Sequence, residues 1–151
     1  MQGALVGLVA LGGCHLVFEL DQPACPAGRK YTESTTTANW GNAHAQCIAS
    51  DPVPDDNTFT HLLVLTDGEE AQAVGLTVDQ AWIGLHNISG TWFWVTNEFP
   101  DDANAPWQTN KPTDQQNLCA NLQIFDLALD DAGCGMEKTF ICECDEFAVA
   151  P

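Results

Sequence analysis

The chain has 151 residues, of which 45% are hydrophobic, so it is long enough for one domain with a hydrophobic core. With 21 acidic residues and 4 Lys and Arg residues, its formal net charge is −17. This charge would repel nucleic-acid phosphates and anionic lipid head groups, which excludes both as partners. The acidity is typical of a soluble protein in a salty or extracellular setting, and a divalent-cation protein is the alternative interpretation.

The N-terminal segment is apolar and carries no charged side chain from Met1 to Phe18. It is shorter than the roughly 20 residues of a bilayer span and is typical of a secretory signal. The sequence Leu11-Gly12-Gly13-Cys14 resembles a bacterial lipobox, in which the cysteine becomes N-terminal and lipidated. An ordinary secretory signal with an incidental cysteine is the alternative.

These features predict three regions. Residues 1–24 form a lipoprotein-like signal and short tether, with the mature chain starting at Cys14. Residues 25–144 form the folded domain, and residues 145–151 form a tail. The protein is therefore expected outside the cell or at the cell surface, anchored by lipid to a bacterial membrane and touching it through that anchor alone.

In the first half of the domain, the sequence pattern predicts a strand, two helices and a short apolar segment. Arg29 to Glu33 is the strand. Apolar spacing indicates one buried helix face, formed by Trp40, Ala43, His44, Cys47 and Ile48. His61 to Leu65 is the short segment, which would pack under a second helix. That second helix is predicted from Glu69 to Leu76, since Thr66 and Glu69 have the spacing of a capping box.

In the second half of the domain, the sequence pattern predicts strands on either side of a long loop. Trp82-Ile83-Gly84-Leu85 lies in a buried strand from Ala81 to Leu85, and a turn from Asn87 to Gly90 leads to an alternating strand, Thr91 to Val95. Glu98 to Gln116 is Pro- and Asp-rich without periodicity, and a loop of that length is usually functional or disordered. Further strands are predicted at Cys119 to Ile124 and Thr139 to Glu143.

Seven cysteines indicate an oxidising compartment, and their odd number leaves one unpaired. We expect Cys14 to be that residue. Zinc is the alternative use of these thiols, since His44 and Cys47 lie one helical turn apart. The Cys142-Glu143-Cys144 spacing is too tight for a common zinc site, however.

The order of the tryptophans, cysteines and proline in this chain resembles the C-type lectin-like domain over residues 25–144. The order runs from Trp40 and Cys47 through the Trp82 run to Trp107, Pro112 and the last cysteines. The resemblance implies an α+β fold in which two helices flank antiparallel sheets with a long irregular loop, stapled by disulfides. It also implies the pairs Cys47–Cys142 and Cys119–Cys134. A third pair, Cys25–Cys144, is our own inference, because antiparallel first and last strands would bring these residues together.

The resemblance places a ligand-binding surface between Asn110 and Asp131. In calcium-dependent members, a tripeptide around a cis proline, a further acidic residue and an Asn-Asp pair hold calcium, which then coordinates sugar hydroxyls. The matching positions here are Lys111-Pro112-Thr113, Asn117, and Asp130 with Asp131. The metal ligands would be Asn117, Asp130 and Asp131, but an ammonium group at Lys111 cannot ligate calcium. Calcium is therefore only a candidate cofactor.

Lys111 suggests two interpretations of this surface. In the first, Lys111 is the internal cation of the site, pairs with Asp130 or Asp131, and holds the loop without metal. In the second, Lys111 points to solvent and the alignment is shifted, so that Asp114 takes a ligand role. The expected ligand-binding residues share this stretch of chain; they are Lys111, Thr113, Asp114, Asn117, Asp130 and Asp131.

Two other features of the loop have plainer interpretations. Glu98, Asp101 and Asp102 form an acidic cluster that is more typical of solvated loop charges than of an auxiliary calcium site. Trp107 is expected in the core rather than as an exposed platform for a sugar ring.

The sequence argues against an enzyme. Its carboxylate pairs are adjacent in the chain and do not predict two groups facing each other across a cleft, as glycosidases require. Nucleophile, zinc-protease and phosphate-binding motifs are absent from the sequence. We therefore expect a recognition module whose partner is a glycan, bound through the long loop. A calcium-independent protein-binding or adhesion module, with a surface protein as partner, is the alternative.

Overall fold

A computed structural model describes residues 31–51, 59–65, 72, 74–75, 77–100, 105–113, 118–123 and 125–145. These residues form one helix, α1 (Trp40–Ala49), and seven strands. The strands are β1 (Tyr31–Glu33), β2 (Phe59–Leu62), β3 (Gln80–Ile88), β4 (Thr91–Trp94), β5 (Leu118–Gln123), β6 (Leu129–Gly133) and β7 (Thr139–Asp145). The N-terminal segment lies outside this part of the chain, as does the predicted second helix apart from positions 72, 74 and 75. Within it, no helix is long and apolar enough to span a bilayer.

The strands form one sheet in the order β1-β7-β3-β5-β6, with β2 also paired to β7 and β4 to β3. First and last strands are antiparallel neighbours, as expected, with Thr32 opposite Cys142. The expected pairing is antiparallel, and the sheet departs from it in one place. β3 and β7 are parallel, with Ala81 opposite Thr139. Parallel pairing needs a long connection between its strands, and the chain between β3 and β7 is long enough to provide one.

The sequence did not predict β6, which interrupts the stretch expected to be one irregular surface from Asn110 to Asp131. In the fold, Asp130 and Asp131 lie on β6, opposite Asn121 and Ala120 of β5. Aspartate is depleted in strands, so local propensity gave no signal for this one. The acidic pair is therefore held on a sheet rather than on a loop.

The turn after β3 is also shorter than predicted. β3 runs to Ile88, and only Ser89 and Gly90 connect it to β4. Both turn residues have positive φ, 54° and 94°, as two-residue hairpin turns require. Asn87, expected in the turn, therefore lies within β3.

Helix α1 packs as its periodicity predicts, with one exception. The side chain of Asn39 caps its N-terminus by accepting a hydrogen bond from the Asn42 amide at 2.9 Å. Ala43 and Cys47 are fully buried. Ile48, expected on the same face, is exposed. Adjacent helical residues are rotated by about 100° around the helix axis. Cys47 lies at the middle of the buried face, so Ile48 lies at its edge.

Both disulfides that the resemblance implied are present. Cys47 pairs with Cys142, with Cα atoms 5.4 Å apart, and thereby joins α1 to β7. Cys119 pairs with Cys134, with Cα atoms 5.0 Å apart, and joins β5 to the residue after β6. Cys144 is also disulfide-bonded. Its expected partner, Cys25, lies outside the described residues, so that pairing stays a prediction.

The Trp82 run forms the centre of the core. Trp82, Ile83 and Leu85 are fully buried, with the Trp82 indole Nε1 donating to the Ala38 carbonyl at 3.0 Å. Gly84 lies against the backbone of the segment after β2, where its amide donates to the Leu63 carbonyl at 2.7 Å. This close approach of two chain segments leaves little room for a side chain at Gly84.

A buried polar cluster joins β2 to the end of β7. His61 Nδ1 donates to the Leu62 carbonyl at 2.8 Å, and Nε2 lies 3.1 Å from Asp145 Oδ1. Both ring nitrogens face acceptors, so the imidazole is doubly protonated when both bonds form. Burial lowers the pKa of His61, but the Asp145 hydrogen bond, the Leu62 carbonyl and the charges of Asp145 and Glu143 outweigh it, so the pKa is raised above 6.5.

This cluster gives the domain a testable pH dependence. Because the folded pKa of His61 exceeds its unfolded value, the stabilisation is complete below about pH 6.5 and is lost as pH rises through the folded pKa. His61→Gln should therefore destabilise the domain by about 1.5–3 kcal/mol at pH 6, the strength of a hydrogen bond to a charged group, and by less near pH 9. Urea denaturation of both proteins at the two pH values measures this difference. An equal loss at both would contradict a charged His61.

Candidate functional site

Two backbone hydrogen bonds hold the end of the long loop against β6, and a third closes a turn within the loop. The Leu129 amide donates to the Pro106 carbonyl at 2.7 Å, and the Gln108 amide donates to the Leu129 carbonyl at 2.9 Å. The Lys111 amide then donates to the Gln108 carbonyl at 3.0 Å, which closes a turn. The following Lys111–Pro112 peptide bond is cis. These contacts place the Lys111 side chain beside the acidic pair of β6.

Lys111 forms an ion pair with both aspartates. Its Nζ lies 2.6 Å from Asp130 Oδ1 and 3.0 Å from Asp131 Oδ1. The Asp131 side chain is 2% exposed, whereas the Lys111 and Asp130 side chains are 26% and 25% exposed. The pairing expected for an internal cation is therefore present, with two carboxylates rather than one. Lys111 does not point freely into solvent, as the other interpretation had it, but the ligand role that it gave to Asp114 stays a prediction.

Thr113 completes the environment of the buried carboxylate. Its amide donates to Asp131 Oδ1 at 3.2 Å, and its hydroxyl donates to Asp131 Oδ2. Burial alone would raise the pKa of Asp131, but the hydrogen bonds from Thr113 and Lys111 and the Lys111 charge outweigh it and lower the pKa. Hydrogen bonds to Asp130 and Asp131 raise the pKa of Lys111. Lys111 and Asp131 are therefore charged at neutral pH. We call Lys111, Thr113, Asp130 and Asp131 the Lys111 cluster.

The cluster does not fit a calcium ion. Calcium requires six to eight oxygen ligands at about 2.3–2.6 Å, but an ammonium nitrogen lies between the two carboxylates that would bind it. Two unit charges about 4 Å apart repel by about 4 kcal/mol at an effective dielectric constant of 20, and a divalent ion would double this. No group of three or more His, Cys, Asp or Glu side chains suited to a metal occurs in the described part of the chain. The other two expected ligand positions, Asp114 and Asn117, lie outside it.

Two polar residues beneath the cluster were missed by sequence reasoning. Asn121, fully buried on β5, donates from Nδ2 to the Asp130 carbonyl at 3.1 Å. Lys138 is buried with its Nζ 5.3 Å from the centroid of the Trp82 ring. Burial lowers the pKa of Lys138, although the charge of Asp130 opposes this. Neither contact has a sequence signal, because each depends on which strands are neighbours.

The structure describes Trp107 and Glu98, which are two of the other loop residues considered in the sequence. Trp107 is half-buried against the core, with its ring 4.9 Å from that of Trp92. This position agrees with the expected packing role. Glu98 is exposed, while Asp101 and Asp102 lie outside the described residues, so the acidic-cluster prediction stays untested.

The comparison with protein families agrees with this architecture. The model of the Lectin C-type domain matches residues 36–144. This match spans both described disulfides, the Trp82 run and the whole Lys111 cluster. The α+β fold class expected from the sequence is confirmed.

Individual relatives are distant. E-selectin of Sus scrofa is 25% identical over 125 residues, covering 74% of this chain and 24% of E-selectin, so the chain spans about a quarter of that relative. Lectin BRA-3 of Megabalanus rosa is 26% identical over 123 residues, covering 77% of this chain and 71% of that protein. The crystal structure of a calcium-independent type II antifreeze protein superposes with a TM-score of 0.67 at 23% identity, covering 80% of this chain and 93% of that one.

Proposed function

The chain belongs to the C-type lectin domain family, and from this premise we propose that it is an extracellular recognition module that binds a carbohydrate at the Lys111 cluster without calcium. Members of this family are binding modules rather than enzymes, and many of them bind calcium while others do not. The single observation that carries the proposal is the Lys111 ammonium seated between Asp130 and Asp131.

An ammonium paired with carboxylates can bind neighbouring sugar hydroxyls directly. Lys111 has three N–H donors, of which two face carboxylates and the third makes a long contact, 3.5 Å, with the Asp131 carbonyl. A sugar oxygen can replace that weak contact. The partly exposed Asp130 carboxylate can accept a hydrogen bond from the next hydroxyl. Charge-assisted hydrogen bonds of this kind are about twice as strong as neutral ones.

Several features expected from the sequence complete this proposal. Asp114 and Asn117 lie between Thr113 and β5 in the chain, so we include them as further ligand-binding residues. The lipobox-like Leu11-Gly12-Gly13-Cys14 supports a bacterial membrane anchor at Cys14. The partner would then be a glycan outside the cell, and the membrane would be touched through the anchor alone. No catalytic step is proposed.

A glycan array probed in calcium and again in EDTA tests the proposal. We expect the same sugars to bind with equal strength in both conditions. Lys111→Met should weaken binding about tenfold or more, because a hydrogen bond to a charged group contributes about 1.5–3 kcal/mol. Glu98→Gln removes an exposed charge elsewhere on the loop and serves as the matched control. Sugar binding that EDTA abolishes would overturn the calcium-independent mode.

A protein-binding or adhesion module is the second candidate, favoured by two exposed phenylalanines in the described part of the chain. Phe99 and Phe125 both place most of their rings in solvent. Exposed aromatic rings are enriched at protein interfaces. A protein partner bound equally in EDTA, together with a glycan array without hits, would support this candidate over the first.

A further inference from the structure

A cavity lies between α1 and the β3–β4 hairpin, apart from the Lys111 cluster. Its volume is about 440 Å³, in the range of small-molecule sites. Its lining includes two imidazoles, three other aromatic side chains and one amide, contributed by Trp40, His44, His86, Phe93, Trp94 and Asn97. We call it the Trp40 pocket. None of its lining residues belongs to the Lys111 cluster.

The aromatic wall of the pocket is held in a fixed geometry. The Trp40 Nε1 donates to the Ile83 carbonyl at 2.8 Å, which anchors the indole to β3. The His44 ring stacks on this indole with centroids 5.5 Å apart, and the His86 ring approaches it to 4.8 Å. A flat ligand ring can therefore stack in a site that is already formed.

The two imidazoles have hydrogen-bonding groups that the chain does not use. The Nδ1 atoms of His44 and His86 are buried and make no hydrogen bond within the described structure. Burial lowers the pKa of His86, although backbone hydrogen bonds with Gly84 and Phe93 oppose this. Burial, together with the charges of His61 and His86, also lowers the pKa of His44. Both rings are thus neutral at physiological pH.

These properties define the chemistry of a ligand. No Asp, Glu, Lys or Arg occurs among the described residues that line the pocket, so a buried charge would lack a partner there. A monosaccharide would bring several hydroxyls to a site with two imidazoles and one amide, leaving some unpaired. An aromatic ring with one hydroxyl matches the walls. That hydroxyl can donate to one imidazole tautomer or accept from the other. A 180° rotation of either ring about its Cβ–Cγ bond exchanges the positions of Nδ1 and Cδ2.

We propose that the Trp40 pocket binds a small, uncharged phenolic compound, with its ring against Trp40 and Phe93 and its hydroxyl bonded to His44 or His86. Ile88 and Phe99 extend the apolar surface at the rim: Ile88 lines the pocket, and the Phe99 ring lies 5.0 Å from that of Phe93. The site is independent of the proposed carbohydrate-binding function.

NMR titration of the full chain, with its disulfides oxidised, tests this assignment using p-cresol, toluene and methyl α-mannoside as probes. Toluene is p-cresol without the hydroxyl, so the ratio of the two affinities isolates the hydrogen bond. We expect p-cresol to bind about 3- to 10-fold more tightly than toluene and to shift the Trp40 indole and histidine resonances. The mannoside should leave those resonances unchanged.

Variants then assign the contact. His44→Phe and His86→Phe keep an aromatic ring but lose the imidazole nitrogens. In at least one of these variants, p-cresol and toluene should bind with about equal affinity. Phe93→Ala should weaken both aromatic probes, because it removes a wall of the pocket. Gly133→Ala, outside the pocket and with no atom within 4 Å of the added Cβ, is the control and should change neither affinity. Equal binding of p-cresol and toluene to the unmodified chain, or tighter binding of the mannoside at these resonances, would overturn the assignment.

Discussion

Replacing Lys111 by glutamate is expected to lower the stability of the domain by about 2–3 kcal/mol and to make that stability respond to calcium. The substitution removes a cation that lies within 3.0 Å of both Asp130 and Asp131 and adds a third carboxylate. Breaking a fully buried pair costs about 3–5 kcal/mol, and the partial exposure of Lys111 reduces this figure. Three carboxylates and the Thr113 hydroxyl would then offer hard oxygen ligands to a divalent ion.

Thermal unfolding in EDTA and in calcium measures both effects. The unmodified domain should unfold at the same temperature in each. The Lys111→Glu variant should unfold earlier in EDTA and recover in calcium, since a ligand at about 100 times its dissociation constant contributes about 2.7 kcal/mol. That recovery corresponds to roughly 2–4 °C per kcal/mol for a domain of this size.

Lys111→Gln is the matched control for this experiment. It removes the positive charge without adding a carboxylate, so it should lose stability while responding to calcium less than the glutamate variant. If Lys111→Glu were as stable as the unmodified domain in EDTA, Lys111 would not be the cation that holds Asp130 and Asp131 together.

Gly84→Ala is expected to destabilise the domain by about 3 kcal/mol, at the upper end of the usual cost of overpacking a core. A Cβ at this position would lie 2.8 Å from both the Leu62 carbonyl oxygen and Val95 Cγ2, and 3.1 Å from the Leu63 carbonyl oxygen. Two of these atoms are backbone, so relief requires the segment after β2 to move away from β3. That movement would stretch the hydrogen bond from the Gly84 amide to Leu63.

Gly133→Ala provides the control, because a Cβ at Gly133 would meet no atom within 4 Å. Urea denaturation should show a midpoint for this variant close to that of the unmodified domain, and a clearly lower midpoint for Gly84→Ala. If both variants had the same midpoint, the close contact at Gly84 would have no energetic consequence.

The sequence predicted those parts of the fold that local pattern or covalent chemistry determines. The spacing of Trp40, Ala43 and Cys47 predicted α1, and the order of the cysteines, through the family resemblance, predicted both described disulfides. Ile48 was misplaced because a list of apolar positions does not show where the buried face ends.

The sequence predicted which charged residues form the candidate site, but it did not predict how the fold arranges them. Lys111 was predicted to pair with an aspartate because basic residues are rare in this chain and this one falls at an expected ligand position. Its pairing with Asp130 and Asp131 is present. The position of the aspartates on β6 depends on pairing with β5, which local propensity opposes. The Trp40 pocket was missed for a related reason, since His44 and His86 meet only when α1 packs on the hairpin.

The strand order has a mechanical consequence. β1 forms one edge of the sheet path and β6, with Asp130 and Asp131, forms the other. Tension between β7 and a ligand held at the Lys111 cluster would act on the β7–β3 and β3–β5 strand pairs in turn. The Cys47–Cys142 bridge lies at the β7 end of this route and the Cys119–Cys134 bridge near the β6 end. The hydrogen-bonded contacts between β7, β3 and β5 would therefore bear the load between two covalently reinforced ends.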